Sequence, residues 1–380
     1  MKKPVERKLL FLTLDPVHIG TGGYRLGRVD LSIVREPGTD LPKIPGTSLH
    51  GALRTYAAYE LGRARCAGWG QDTEEKKKHC GSSACPICYT FGYARGPSEE
   101  GGKQGALRIS DARILLFPIR SVVGPLWITS PATLYDFCGE YVSPPDDKTA
   151  LCTSKRPLLD SSGNKGKVNL GWLLIDAEEK DQLKSIFNSS AGHTALKSLC
   201  AEDVVKEQIV CVSDTLFSEL VNSALEVRTS VSIDPETGAA AEGALFTYEA
   251  IPRATILWCD VILYDTGIFP SREHLDRWRQ GEFEDKERHY FKQLGVKEKD
   301  VQKTANEILQ DCSDYDSATI SDFTTKPLGW FETLGVGGML TRGFGRMRAV
   351  FMGDVESCRK KTEEERINSE KQSAGGADDD

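Results

Sequence analysis

The feature that most constrains this chain is a long break between two well-patterned elements near its start. Residues 8–15, KLLFLTLD, form a short, largely apolar strand. A helix is expected from Thr47 or Ser48, either of which can cap it, to about Arg65. Its Leu49, Leu53, Tyr56, Ala57 and Leu61 share one face at helical spacing. Between strand and helix, residues 16–43 are rich in Gly, Pro and Arg and show little periodicity. A stretch of that length with no secondary structure of its own runs over a surface and carries function.

The rest of the chain supplies the partners for those two elements. Residues 106–117 and 120–134 are strand-like. Asp176 with Glu179 resembles a capping box opening a helix to about Phe187, and Asp214 opens another through Leu225. Strand-like runs at 226–233 and 254–264 flank DPETGAAAEGALFTYEAIP, which has the turn chemistry of a long hairpin. Residues 271–322 read as a charged helical insertion, and the final strand, 346–352, follows the glycine run LGVGGMLTRGFGR. This order suits an α+β fold, a ferredoxin-like (RRM-like) core with large insertions, in one domain over 1–358. The tail at 359–380 is polar and charged and is expected to be disordered.

Composition narrows the class. With 39% hydrophobic and 27% charged residues, the chain can bury a sizeable core. No run approaches the ~20 apolar residues of a membrane span, and the N-terminus has no small-residue cleavage site. Eleven cysteines, most of them scattered singly, argue against a secreted disulfide framework. A cytoplasmic protein is expected. The net charge of −8 opposes nucleic-acid binding only on average. Arg25, Arg28, Arg35, Lys43 and Arg54 surround the first glycine loops, and Arg342, Arg346 and Arg348 the last, while acids concentrate in 273–300, 311–322 and the tail.

Two groups of residues carry chemistry. Glycine lets backbone N–H groups approach a ligand, and a helix N-terminus favours an anion; IPGTSLHGALR at 44–54 combines both. No nucleotide motif is present: the loops contain neither GxxxxGK[ST] nor GxGxxG. The second group is Cys66-x13-Cys80-x4-Cys85-x2-Cys88, whose CPIC turn fits a zinc knuckle, with His79 able to replace Cys80. Such a closed site is structural, and its flanks lack the strand–CxxC–helix pattern of a redox motif.

The run HIGTGGYRLGRVDLSIVREPGTDLPKIPGTSLHGALR, His18 to Arg54, resembles the N-terminal signature of the repeat-associated mysterious protein (RAMP) superfamily. Within it, the chain looks like the backbone subunit of type III CRISPR effector complexes. FGYA and GALRISDARILLFPIRSVVG resemble the central strands of that family. SIDPETGAAAEGALFTYEAIP resembles its thumb hairpin, and LGVGGMLTRGFGRMR its C-terminal glycine loop. About two-thirds of the chain is covered in order; the 271–322 insertion and the tail match nothing.

The resemblance implies a palm that grips CRISPR RNA and a thumb at 228–256; the zinc-binding insertion at 66–92 and the helical insertion at 265–322 are read from the residues themselves. Copies of the chain would stack along the guide with other type III subunits, each thumb interrupting guide–target pairing. His18, Ser48, His50, Arg54, Gly337, Gly338, Arg342 and Arg346 would contact guide backbone, independent of sequence. Target RNA would be cut by Asp30 with Mg²⁺ or another divalent cation; Asp30 could instead be a surface acid paired with Arg28 or Arg35. Two alternatives stand beside this: a backbone subunit without nuclease activity, and a metal-independent CRISPR RNA-processing enzyme with His18 or His50 as general base. Leu245, Phe246 and Ile251 are available as the thumb's wedge, and Trp127, Trp172, Trp258 and Trp330 are read as core.

Overall fold

The computed structural model describes residues 4–22, 29–68, 79, 85–93, 102, 104–142, 146–240, 245–264, 272–288, 291, 296–311 and 324–353. The remaining residues, among them Arg25, Arg28, Cys80 and the 359–380 tail, lie outside this set. The strands are β1 (Val5–Thr13), β2 (Leu107–Ile109), β3 (Arg113–Ile119), β4 (Leu126–Thr129), β5 (Thr149–Cys152), β6 (Leu159–Ser162) and β7 (Lys165–Leu170). They continue with β8 (Leu173–Glu179), β9 (Ile209–Cys211), β10 (Glu226–Ser230), β11 (Phe246–Ala250), β12 (Ile256–Leu263) and β13 (Met347–Phe351).

Eleven of these strands form one mixed sheet in the order β13-β1-β12-β3-β4-β9-β5-β8-β7-β6, with β2 also on β12. The β4–β9 and β5–β8 pairings are parallel and the others antiparallel. β1 explains its own apolar run. Leu9 and Phe11 point to one buried face and Leu10 to the other, because both faces of the sheet are covered. On the first face lie helix α1 (Gly46–Glu60), through Leu49, Leu53 and Tyr56, and the short helix Trp330–Thr333. The Phe331 ring meets Phe11 at 6.3 Å and Tyr56 at 5.4 Å. On the second face the helix Pro131–Cys138 brings Phe137 to 5.3 Å from Trp258. β10 and β11 form a separate antiparallel hairpin whose register is Glu226↔Ala250 to Ser230↔Phe246. The helices Arg272–Arg279 and Val301–Asp311 bury Leu275, Trp278, Val301 and Ala305 together as a small core of their own.

Several sequence expectations change. Asp176 does not open a helix: it lies inside β8, and the helix starts at Asp181. The alternating Leu173–Glu179 pattern pairs with β7 on one side and β5 on the other, and this tertiary pairing overrides the local capping signal. Trp172 is not core; it is 73% exposed at the β7–β8 turn. Trp127 and Trp258 are buried as expected. Cys200 is disulfide-bonded, an exception among the single cysteines, while Cys138, Cys152, Cys211 and Cys259 are free thiols.

The cap of α1 is also different. Neither Thr47 nor Ser48 provides it; Pro45 is the N-cap residue and makes no side-chain cap. The first helical N–H, that of Gly46, donates instead to Asp111 Oδ1 at 2.8 Å. A Cβ at Gly46 would stand 2.5 Å from the Ile109 carbonyl oxygen, so this glycine seats the helix against the β2–β3 turn. Lys43 then bridges Asp111 at 2.7 Å and Glu36 at 2.8 Å. The helix end therefore already holds a carboxylate of its own chain.

Candidate nucleic-acid interface

Three segments distant in sequence meet around β11. Val17 and Ile251 exchange backbone hydrogen bonds, which sets the first loop against the end of the hairpin. Leu31 donates its N–H to Thr247 O, and Glu249 donates back to Leu31 O. From the C-terminal side, Gly338 N–H donates to His18 O at 2.9 Å. Gly337 has φ +93°, and a Cβ there would lie 2.5 Å from the same carbonyl. Only glycine tolerates both that conformation and that approach. Tyr248, Ala250 and Phe344 are buried together under Leu31, Phe246 and Met339.

Asp30 sits on this junction. Its N–H donates to Thr247 Oγ1 at 3.1 Å. Its Oδ2 accepts from Thr247 N at 2.7 Å and from Thr247 Oγ1 at 2.8 Å. The carboxylate is exposed, and these Thr247 hydrogen bonds hold its pKa below the usual aspartate range. Asp30 is thus an ionised group clamped to β11 beside the loop-side end of the β10–β11 ladder. Arg35 is engaged elsewhere: its guanidinium forks onto Glu249 at 2.6 and 2.9 Å, and its Nε donates to Asn222 Oδ1 at 3.1 Å.

His18 is buried and donates Nδ1–H to the Glu249 carbonyl at 2.7 Å, with Tyr248 edge-on at 6.2 Å. A carbonyl only accepts, so Nδ1 is the donor in this contact. Arg342 is exposed, its guanidinium 6.0 Å from the Phe246 ring. Arg346 is half exposed and forks onto Asp15 at 2.5 and 3.2 Å. Of the three apolar residues considered for the hairpin, Leu245 is 66% exposed, Phe246 packs on Tyr248, and Ile251 is buried.

The α1 residues form a second group. Ser48 is half buried in the first turn. His50 stands edge-on to Phe91 at 5.2 Å, and burial together with the nearby Arg54 charge lowers its pKa. Arg54 is buried and faces the cysteines. Its Nε donates to Cys66 O at 2.8 Å, its Nη1 to Gly92 O at 2.6 Å, and its Nη2 to His79 Nδ1 at 3.2 Å.

Cys66, Cys85 and Cys88 are buried, with their sulfurs within 4.8 Å of one another. Cys66 and Cys85 Sγ are 3.8 Å apart, far beyond a disulfide. Two thiolates at ~2.3 Å from one tetrahedral zinc stand roughly 3.8 Å apart, so the spacing fits that ion. Among the described residues this is the one group of three or more such ligands, and His79 is not in it. Among the described residues Asp30 belongs to no such group.

The large mixed sheet, with a hairpin set beside a glycine loop, has counterparts among known proteins. The RAMP superfamily model matches residues 10–348, and the chain belongs to that superfamily. It is 29% identical over 262 residues to the CRISPR system Cmr endoribonuclease Cmr4 of Pyrococcus furiosus, covering 66% of this chain and 79% of that protein. A Csm3 endoribonuclease of the CRISPR system Cms from Methanothermobacter thermautotrophicus is 34% identical over 88 residues, 23% of this chain and 32% of that one. Among solved structures, a crystal structure of Cmr4 shares the fold with TM-score 0.50 at 22% identity, over 91% of this chain and 98% of that one. The type III-B Cmr-beta complex bound to cognate target RNA contains a chain with TM-score 0.51 at 15% identity, over 92% and 98%.

Proposed function

We propose that this chain is a backbone subunit of a type III CRISPR ribonucleoprotein that binds CRISPR RNA and cuts complementary target RNA. The observation that carries the reading is Asp30, ionised and fixed through Thr247 to β11 near the loop-side end of the hairpin ladder. In this reading the hairpin is the thumb and Leu245 is its wedge residue. The strands β13-β1-β12-β3, with α1 and Trp330–Thr333 on one face, are a ferredoxin-like palm; their order and antiparallel pairing support it. The protein acts in the cytoplasm, with other copies of itself and further effector subunits.

The residues divide the work. Ser48, His50, Arg342 and Arg346 lie along the guide backbone, Arg342 as an exposed point charge and Arg346 by exchanging Asp15 for phosphate. His18, Gly337 and Gly338 hold the loops at the spacing the RNA needs. Arg54 serves the cysteine centre instead. A divalent ion such as Mg²⁺, when bound, supplies charge stabilisation at the scissile phosphate. Asp30 contributes a carboxylate oxygen to hold it, and Thr247 keeps that carboxylate unprotonated and aimed. Cys66, Cys85 and Cys88, with Cys80 outside the described residues, hold a structural zinc.

The test uses the assembled complex. Asp30→Ala should leave guide binding intact and abolish target cutting; cutting at the parental rate would overturn the assignment. If binding persists in the parental complex and no RNA is cut, the chain is a non-catalytic backbone subunit. Repeat cleavage by the isolated chain in EDTA, lost in His18→Ala, would support the processing reading.

A further inference from the structure

The IPGTSLHGALR segment and the cysteine centre meet at one side chain. Arg54 leaves α1 and is 7% exposed, and each arm of its guanidinium ends on the cysteine region. Nε binds the carbonyl of Cys66 itself, at 2.8 Å. Nη1 binds the carbonyl of Gly92, just past helix α2 (Pro86–Phe91), which carries Cys88. Nη2 lies 3.9 Å from Cys88 Sγ and 3.2 Å from His79 Nδ1. Thus one cation holds the backbone on either side of a three-sulfur centre and offers an N–H to one sulfur.

Three thiolates on a divalent ion leave an excess of negative charge in a buried place. A fixed guanidinium with no means of losing its proton offsets that charge, and its planar fork fixes where the ligands stand. From the same helix, His50 rests on Phe91 of α2 at 5.2 Å, a second contact between the two elements.

Resting on the zinc reading above, we propose that Arg54 is a positioning residue of the metal centre, and that through it metal occupancy sets the seating of α1 against α2. The RNA-facing residues Ser48 and His50 ride on that helix, so metal loading also sets their alignment. Arg54 acts through the cysteines and touches neither RNA nor the metal.

Zinc content and release to a chromogenic chelator test this on the full chain. Parental protein should hold one zinc. Arg54→Lys, which keeps the charge and loses the fork, should release it ten- to a hundredfold faster. The cobalt-substituted variant should also show a shifted thiolate-to-cobalt absorption band. Equal release rates and spectra would overturn the role of Arg54 while leaving zinc in place. Parental protein devoid of metal would overturn the zinc reading and this proposal with it. Hydrogen exchange on the parental chain needs no variant: stripping the metal should raise exchange in residues 46–60 as well as 85–93. Loss of protection confined to 85–93 would refute the coupling.

Discussion

At the scale of single residues, what distinguishes Asp30 is what Thr247 does to it. An exposed aspartate ordinarily moves with solvent; this one is tied by a backbone N–H and a hydroxyl from the hairpin. The same bonds favour its charged form, so its pKa lies below the ordinary value of about 3.9. Protonation of Asp30 should therefore produce no inflection in the pH–rate profile of target cutting from neutral down to about pH 4; an Asp30 carboxyl carbon titrating at about pH 5–6 by NMR would contradict this. Thr247→Val removes the hydroxyl and keeps the shape. Cutting should fall on the order of tenfold to a hundredfold as the carboxylate loses its aim, with guide affinity unchanged in a filter-binding assay. Sequence reading identified Asp30 through the motif around it. Thr247, 217 positions away in the chain, carried no signal that could mark it as the partner.

Elements are joined by a few polar contacts whose loss can be measured. Tyr56 donates its hydroxyl to Gly335 O, which ties α1 to the C-terminal glycine loop. Tyr56→Phe should cost about 1 kcal/mol in denaturant unfolding. Burial also raises the Tyr56 pKa from 10.0 to about 12. The folded chain therefore keeps the phenol neutral where the unfolded chain has already ionised. Its contribution to stability is fully present below pH 10 and declines as pH rises from 10 toward 12. The parental protein should lose stability faster than Tyr56→Phe across that window. Element boundaries were read well where the apolar pattern was dense: β1, α1, β12 and β13 all lie near their expected places. They were read poorly at β5–β8, where short strands are half exposed and their pairing with distant neighbours decides the structure.

For the whole molecule, the net charge of −8 leaves the proposed RNA-binding role to individual exposed cations. Much of the basic charge near the first loops is neutralised internally, Lys43 by Glu36 and Asp111 and Arg35 by Glu249. Arg342 remains exposed at the hairpin. Guide affinity should therefore fall with salt, and Arg342→Ala should weaken binding equally for unrelated guide sequences while lowering the salt slope by about one. A variant whose loss depended on guide sequence would argue for base contact instead. No described helix is long and apolar enough to cross a membrane.

The local patterns in the sequence were enough to indicate the α+β class, a hairpin within 228–256 and the cysteine group, while the family resemblance singled out Asp30 as the carboxylate to watch. Each is a property of neighbouring residues: periodicity, turn chemistry, ligand spacing or a contiguous motif. Only the tertiary structure decided that Asp111 caps α1, that Gly46 serves packing rather than a ligand, that Thr247 clamps Asp30, and that Arg54 turns inward to the cysteines. Those depend on which distant groups the eleven-stranded sheet brings within hydrogen-bond reach. A buried cation or an orphan helix N–H takes whichever acceptor the fold delivers, and no pattern along the chain encodes that choice.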